Sequence, residues 1–155
     1  MPVVFEVLRY ASAASLGIFF GAMLTEGCLL VPYWQSISAG EFLAWYAVNG
    51  QRLLRFFEPV TTVPLLLMIA TAALAWWDGH PSRWWVSLAA IIMTAIVGMF
   101  FLYFQKANAS FAIASIGLDQ VSAELIRWAS WHWCRTGMSG MAFAASLVSL
   151  RQIHR

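Results

Sequence analysis

Apolar residues run along the chain in four stretches long enough for a helix to cross a bilayer, with polar residues gathered in the breaks. The first stretch, about 7–31, carries one ionisable residue in its second half, Glu26, and leaves the membrane at Pro32, Tyr33 and Trp34. Glu41 to Arg55 mixes Phe42, Trp45 and Leu53 with Asn49, Gln51 and Arg52, the pattern of a short amphipathic lead-in to a second span at about 55–77. Pro59 and Pro64 near the start of that span predict a bend or a placement in the first turns of the helix. A turn, Asp78-Gly79-His80-Pro81-Ser82-Arg83, is flanked by Trp76-Trp77 and Trp84-Trp85, as expected where two helices reach one membrane interface. A third span covers about 84–104, and a moderately polar connection runs from Gln105 to Gly117. Asp119 is placed to N-cap the last helix, which continues to Leu150. That helix exceeds one bilayer crossing, so its first turns stand outside and the span is about 128–150.

Spans joined by short connections alternate in direction, which gives the fold class: all-α integral membrane, an up-and-down four-helix transmembrane bundle in a single domain over residues 1–155. Both termini and the Gly79 turn share one face, and the other two connections share the opposite face. Composition agrees: 61% of residues are hydrophobic and 10% charged, against about 25% charged in soluble domains. Nine Trp and eleven Phe suit a lipid-facing body with aromatic belts, most of the Trp acting as anchors. The net charge of +2 is dispersed, which speaks against nucleic acid as a partner. Cys28 and Cys134 lie in apolar helical sequence and read as buried free thiols rather than a disulfide pair. The first stretch is too long for a signal-peptide core and reads as a retained helix.

Charge is unevenly placed. Arg9, Arg83, Arg151 and Arg155 belong to the terminal face, whereas Arg52, Arg55, Lys106, Arg127 and Arg135 belong to the other, mixed with Glu26, Glu58 and Glu124. If the second group is held for function, the first sets orientation and both termini are cytoplasmic. Ionisable side chains inside a membrane usually face the bundle interior and pair there. Glu26 lies roughly 9 Å inside Pro32, at about 1.5 Å per helical residue. Trp128, His132 and Arg135 fall at i, i+4 and i+7 and share one stripe of the last helix, with Ser139 extending it inward. Arg52, Arg55 and Glu58, spaced by threes, are placed for an ion-pair ladder. Each has a plainer alternative: Glu26 as a strut pairing Arg55 or Arg135, the arginines snorkelling to headgroups, Glu58 complementing a helix dipole, His132 as a satisfied interface histidine. Glu26, Glu58 and His132 have the composition of a two-carboxylate, one-imidazole iron or manganese site, but they come from three helices and arginines surround them. No cofactor is required, and metal is the minor alternative. Haem is weaker, because His80 and His154 lie at the other face and leave His132 alone.

The segment Trp128-Ala-Ser-Trp131-His132-Trp133-Cys134-Arg135-Thr136 resembles the W-x-x-x-H-x-x-R-T signature of the anthrone-oxygenase-like membrane proteins, small four-helix proteins of bacteria and fungi. The exit of the third span, Tyr103 to Asn108, is similar to the family's Asn-containing helix end, with Lys106-Ala107-Asn108 in place of Pro-x-Asn. Glu26 stands where a neutral polar residue is expected. The resemblance implies a membrane oxidoreductase acting on a lipophilic aromatic or quinone-type small molecule. It implies His132 as general base, Arg135 as stabiliser of the resulting phenolate or enolate, and Trp128 stacking on the ring. Glu26 joins that catalytic set, and Trp131, Glu58, Arg55 and Asn108 complete a candidate substrate-binding shell. Two further classes stand beside it: a non-enzymatic ligand-binding or accessory subunit of a membrane complex, and a metal- or haem-binding redox subunit. Expected partners are lipids, the lipophilic ligand, and a homo-oligomer or larger membrane complex; the expected location is a bacterial inner membrane.

Overall fold

The computed structural model describes residues 2–152; His154 and Arg155, named above, lie outside them. Four helical rods form the bundle. Rod α1 consists of Pro2–Thr25, a π-helical turn Glu26–Leu30 and a further α-helical stretch Val31–Ser36. Rod α2 is Ala39–Trp77. Rod α3 consists of Arg83–Met99, a second π-helical turn Phe100–Phe104 and Gln105–Ala112. Rod α4 is Leu118–Leu150. Each rod packs on its chain neighbours and α4 closes on α1, giving the up-and-down ring.

The rods begin and end where local chemistry allows. Ser38 and Glu41 form a capping box: the Ser38 hydroxyl accepts the Glu41 N–H at 3.3 Å, and the Glu41 carboxylate accepts the Ser38 N–H at 2.9 Å. Helix α2 therefore starts before the expected lead-in and runs through it without a break. Pro59 and Pro64 also leave it continuous, since a lost backbone bond is tolerated within a membrane helix. Its end is a Schellman wrap, with His80 N–H on Ala75 O at 2.8 Å, Gly79 N–H on Trp76 O at 3.3 Å, and Gly79 at φ +62°. The end of α3 repeats it, with Ser115 N–H on Ser110 O at 3.0 Å, but Ala114 takes the left-handed position at φ 49°. A Cβ there costs about 1 kcal/mol relative to glycine. Asp119 does not cap α4; Gly117 holds the N-cap position and Asp119 falls inside the first turn.

Both π turns replace expected helix ends. Val31 N–H reaches back five residues to Glu26 O, and Gln105 N–H reaches five back to Phe100 O. In a regular α-helix the Pro32 ring would press on the carbonyl four residues earlier and offer it no N–H. The wider turn just before Pro32 relieves that contact, so α1 continues past its predicted exit. No proline explains the turn in α3, which carries that helix on to Ala112 and shortens the connection to residues 113–117.

Three of the rods, Val3–Ser36, Ala39–Trp77 and Arg83–Ala112, are long and apolar enough to cross a membrane by themselves. Their outer faces carry Val7, Ile18, Leu29, Leu66, Ile91 and Leu102, all exposed outside the bundle. An exposed apolar surface of that extent suits hydrocarbon rather than water. The protein is an integral membrane helical bundle. Cys28 and Cys134 are exposed on that outer surface, contrary to the buried placement expected of free thiols. The lipid phase takes apolar side chains as readily as a core does, so composition does not tell the two apart. Trp77 and Trp84 are exposed, as anchors must be, whereas Trp34 and Trp128 are core residues and do not serve as anchors.

The core has two parts. Phe5, Leu16, Phe19, Met23, Met68 and Met93 fill the terminal half. Aromatic rings dominate the other half, among them Trp34, Phe42, Tyr46, Phe104, Phe111 and Trp128. At the terminal end, Phe5 meets His80 at 4.9 Å, and the buried Arg9 guanidinium donates to the carbonyls of Ser149 and Gln152. These contacts bring the start of α1, the end of α4 and the Gly79 turn together, as the alternation of spans predicts.

Candidate functional site

The polar cluster sits where the two halves of the core meet. On α4, Trp128 and His132 are one turn apart and their rings stack at 5.1 Å with an interplanar angle of 8°. His132 is wholly buried. Its Nε2–H donates to the Met23 carbonyl at 2.9 Å. A carbonyl only accepts, so Nε2 carries the proton and Nδ1 presents a lone pair. That lone pair accepts from Arg135, whose Nε and Nη2 lie at 3.2 and 3.0 Å. The imidazole is thus neutral and fixed in one tautomer by α1 on one side and by its own helix on the other.

Arg135 is held equally firmly. Nη2 donates to Glu26 Oε2 at 2.9 Å, and the guanidinium lies 4.0 Å over the Phe104 ring and 5.4 Å from Trp128. Glu26 is 4% exposed, and the same Oε2 is 3.4 Å from His132 Nδ1. One carboxylate oxygen therefore stands within reach of both the guanidinium and the imidazole lone pair. Both π turns frame this point: Glu26 opens one and Phe104 closes the other. A π turn adds a residue to one turn, and so rotates everything beyond it by about 100° relative to a regular helix. Beyond the second π turn, Asn108 Oδ1 accepts the Trp128 indole N–H at 2.9 Å, anchoring the ring that stacks on His132.

A second polar group lies further out on the same helices. Tyr103 donates to Glu124 at 2.8 Å and stacks on Trp131 at 5.0 Å, and Arg127 pairs with Glu124 at 3.4 Å. Of the expected shell, then, Trp128 and Asn108 join the cluster of Glu26, His132 and Arg135, and Trp131 belongs to this outer group. Arg55 and Glu58 do not join either. They are exposed on α2, as is Arg52, which among the described residues reaches only Asn49, at 3.4 Å, so the predicted ladder is not formed. Their stripe faces outward because the opposite side of α2 buries Phe42, Leu43 and Tyr46. Glu58 is accordingly apart from Glu26 and His132, and among the described residues no three His, Cys, Asp or Glu side chains converge as a metal-binding group.

Comparison with known families decides the relationship. The family model described as Anthrone oxygenase matches residues 51–145, more than half of the chain. The chain belongs to the anthrone oxygenase family. Neither a curated protein nor a solved structure matches it. Within the part shared with the anthrone oxygenase family lie Phe104, Asn108, Trp128, His132 and Arg135. Glu26 and the Met23 carbonyl, which complete the cluster from α1, lie before it. Membership makes this an oxygenase-type membrane protein.

Sequence reasoning does not single out Met23, whose contribution is a backbone carbonyl, or Phe104, one of eleven phenylalanines. It also passes over Gly27, although a small residue beside an intramembrane charge is a sign of close helix packing. A Cβ at Gly27 would stand 3.0 Å from His132 Nε2 and 3.1 Å from both His132 Cδ2 and Trp133 Cζ2. The neighbours that must yield are two rings, the imidazole and the Trp133 indole, not flexible side-chain ends. Gly27→Ala is expected to push His132 off the Met23 carbonyl and cost about 1–3 kcal/mol of stability through overpacking. Thermal unfolding in detergent, with the imidazole NMR shifts as a local readout, checks this; unchanged imidazole signals would show that the contact is slack.

Proposed function

We propose that this protein is a membrane oxygenase that converts an activated methylene of a flat, lipophilic phenolic or anthrone-type molecule to a carbonyl, using molecular oxygen. The CH2 group and O2 together yield C=O and water, so no further reductant is needed. The observation that carries the proposal is the convergence of Arg135 Nη2 and His132 Nδ1 on a single oxygen position, at 2.9 and 3.4 Å, now filled by Glu26 Oε2.

A neutral substrate carbonyl oxygen placed at that position draws Arg135 toward itself and releases the Nδ1 lone pair. Nδ1 then removes the acidic proton of the substrate, and the negative charge spreads onto the oxygen facing the guanidinium. Glu26 yields the position and balances the imidazolium that forms. Trp128, held by Asn108, keeps the imidazole plane aligned. The carbanion reduces O2, and loss of water from the resulting peroxide leaves the carbonyl. Water is kept from the reacting carbon by the aromatic half of the core.

The termini-inward orientation in a bacterial inner membrane belongs to the same proposal; its support is the position of Arg83 and Arg151 at the terminal face. A second reading has support in the complete burial of His132: the cluster then serves as a fixed polar core of a ligand-binding or accessory subunit, without turnover. Purified protein in nanodiscs, given a panel of hydroxylated anthrones under air and under argon, separates the two. Oxygen-dependent quinone formation above that of empty nanodiscs is expected. A folded protein that leaves every member of the panel unchanged, while co-purifying with a stoichiometric partner, decides for the second.

A further inference from the structure

The charges around the buried oxygen position cancel. Glu26 Oε2 lies 2.9 Å from Arg135 Nη2 and 3.4 Å from His132 Nδ1. The imidazole is neutral, since its Nε2–H is given to the Met23 carbonyl and its Nδ1 accepts from Arg135. From α3 comes the uncharged ring of Phe104, and from α2 the phenol of Tyr46, on which both charges act. Among the described residues Arg135 pairs with no carboxylate but Glu26, so the cluster holds one negative and one positive charge. Burial gives that sum its force: the side chain of Glu26 is 4% exposed and that of Arg135 12%. An ion brought to such a place loses its hydration, and only an opposite charge still free can compensate. Glu26 already fills that role toward Arg135. A neutral carbonyl oxygen that displaces Oε2 leaves the sum at zero. A carboxylate that displaces it makes the cluster negative and stands beside the displaced carboxylate of Glu26. Like charges about 5 Å apart, at an effective dielectric of about 20, weaken binding by roughly 10²–10³-fold.

We infer that Glu26 is a specificity-determining residue, which reserves the buried oxygen position for uncharged ligands and excludes carboxylates, free fatty acids included. The inference rests on the oxygenase reading for which oxygen position the ligand takes, but not for the charge rule itself. Without Glu26, a guanidinium beside an imidazole and under aromatic rings would hold any amphiphilic carboxylate dissolved in the bilayer. With Glu26 in place, the site admits its substrate as the neutral carbonyl form. Proton transfer to His132 then creates an imidazolium and an oxyanion together, so the sum of charges stays at zero through the step.

The test is equilibrium binding of two anthracenes to the protein in nanodiscs, in mildly alkaline buffer, each referred to its own partition into empty nanodiscs. Anthraldehyde carries one neutral carbonyl on the central ring, and anthroate carries one carboxylate at the same carbon. Neither has a methylene to oxygenate, so binding is read without turnover. Wild-type protein is expected to bind anthraldehyde and to hold anthroate far more weakly. Glu26→Gln keeps the side chain's size and an oxygen for Arg135 while removing the charge. It should strengthen anthroate binding by roughly 10²–10³-fold and leave anthraldehyde within a few-fold. Adding Arg135→Met should abolish that gain, because the gain runs through the guanidinium. If Glu26→Gln alone folds poorly, thermal unfolding carries the test: anthroate should raise the midpoint of the variant and leave the wild type unmoved. A variant midpoint that anthroate does not move overturns the inference. Anthroate bound by wild type as tightly as anthraldehyde also overturns it, as does an unchanged ratio of the two affinities in Glu26→Gln. Absence of binding of either probe above empty nanodiscs does the same. Failure of the oxygenase reading appears differently, as intact charge discrimination with no quinone formed from anthrone in air.

Discussion

Replacing His132 by glutamine lowers turnover of an anthrone substrate by roughly 10²–10⁴, the usual contribution of a positioned general base, while the bundle remains folded. The choice of glutamine isolates the chemistry. Its amide N–H can keep the bond to the Met23 carbonyl, and its carbonyl oxygen can accept from Arg135, so both polar contacts of the imidazole survive. What disappears is a nitrogen able to take a proton. The measurement is kcat at saturating substrate, beside thermal unfolding of the same preparation. Turnover within a few-fold of wild type in a folded His132→Gln protein sinks the assignment of His132 as base and leaves it a structural histidine.

Arg135→Ala is expected to destabilise the protein by about 3–5 kcal/mol, because it leaves the carboxylate of Glu26 buried without its cation. Loss of the guanidinium also empties the space over Phe104. Most of that cost belongs to the stranded charge rather than to the ion pair itself, and a double replacement can show it. Glu26→Gln with Arg135→Met removes both charges at nearly constant volume. This double variant should recover most of the stability lost by Arg135→Ala, and should sit well above the sum of the two single variants, since neighbours in one buried network do not add. Turnover should remain lost in the double variant, because nothing then stabilises the oxyanion. Unfolding in mixed micelles at graded denaturant reports the stability. Strict additivity of the single variants would mean that Glu26 finds another partner and that the pair does not hold the two helices together.

Much of this arrangement is legible in the residues alone, for physical reasons that also explain the gaps. A span of apolar residues must be helical in a bilayer, so the count of helices and their alternation come directly from the pattern. A stripe at i, i+4 and i+7 is a property of one helix, and Trp128, His132 and Arg135 lie together as that spacing requires. The choice of Arg135 over Arg55 as the partner of Glu26 stays open at the level of sequence, because it depends on which face of α2 turns inward. Buried Phe42 and Tyr46 settle that orientation, and only packing reveals it. The π turns are the largest gap. Hydrophobic periodicity assumes 3.6 residues per turn, so a helix that takes on one extra residue looks like a helix that has ended. Pro32 accordingly reads as an exit, and Gln105 as the start of a loop. Gly27 escapes notice for a related reason: a glycine reports close approach only once the approaching side chain is known.

The pairing of Glu26 with Arg135 has one more consequence, which concerns the electric field across the membrane. Moving one isolated charge through that field involves about 2.3 kcal/mol per 100 mV, enough to bias a titrating or mobile group. Here the two charges are opposite and lie 2.9 Å apart at nearly the same depth, and the imidazole beside them is neutral. The field pulls on one as it pushes on the other, so the resting cluster does almost no electrical work. A cell can swing its membrane voltage without unsettling these side chains, and sensitivity to voltage should arise only when a further anion is brought to them.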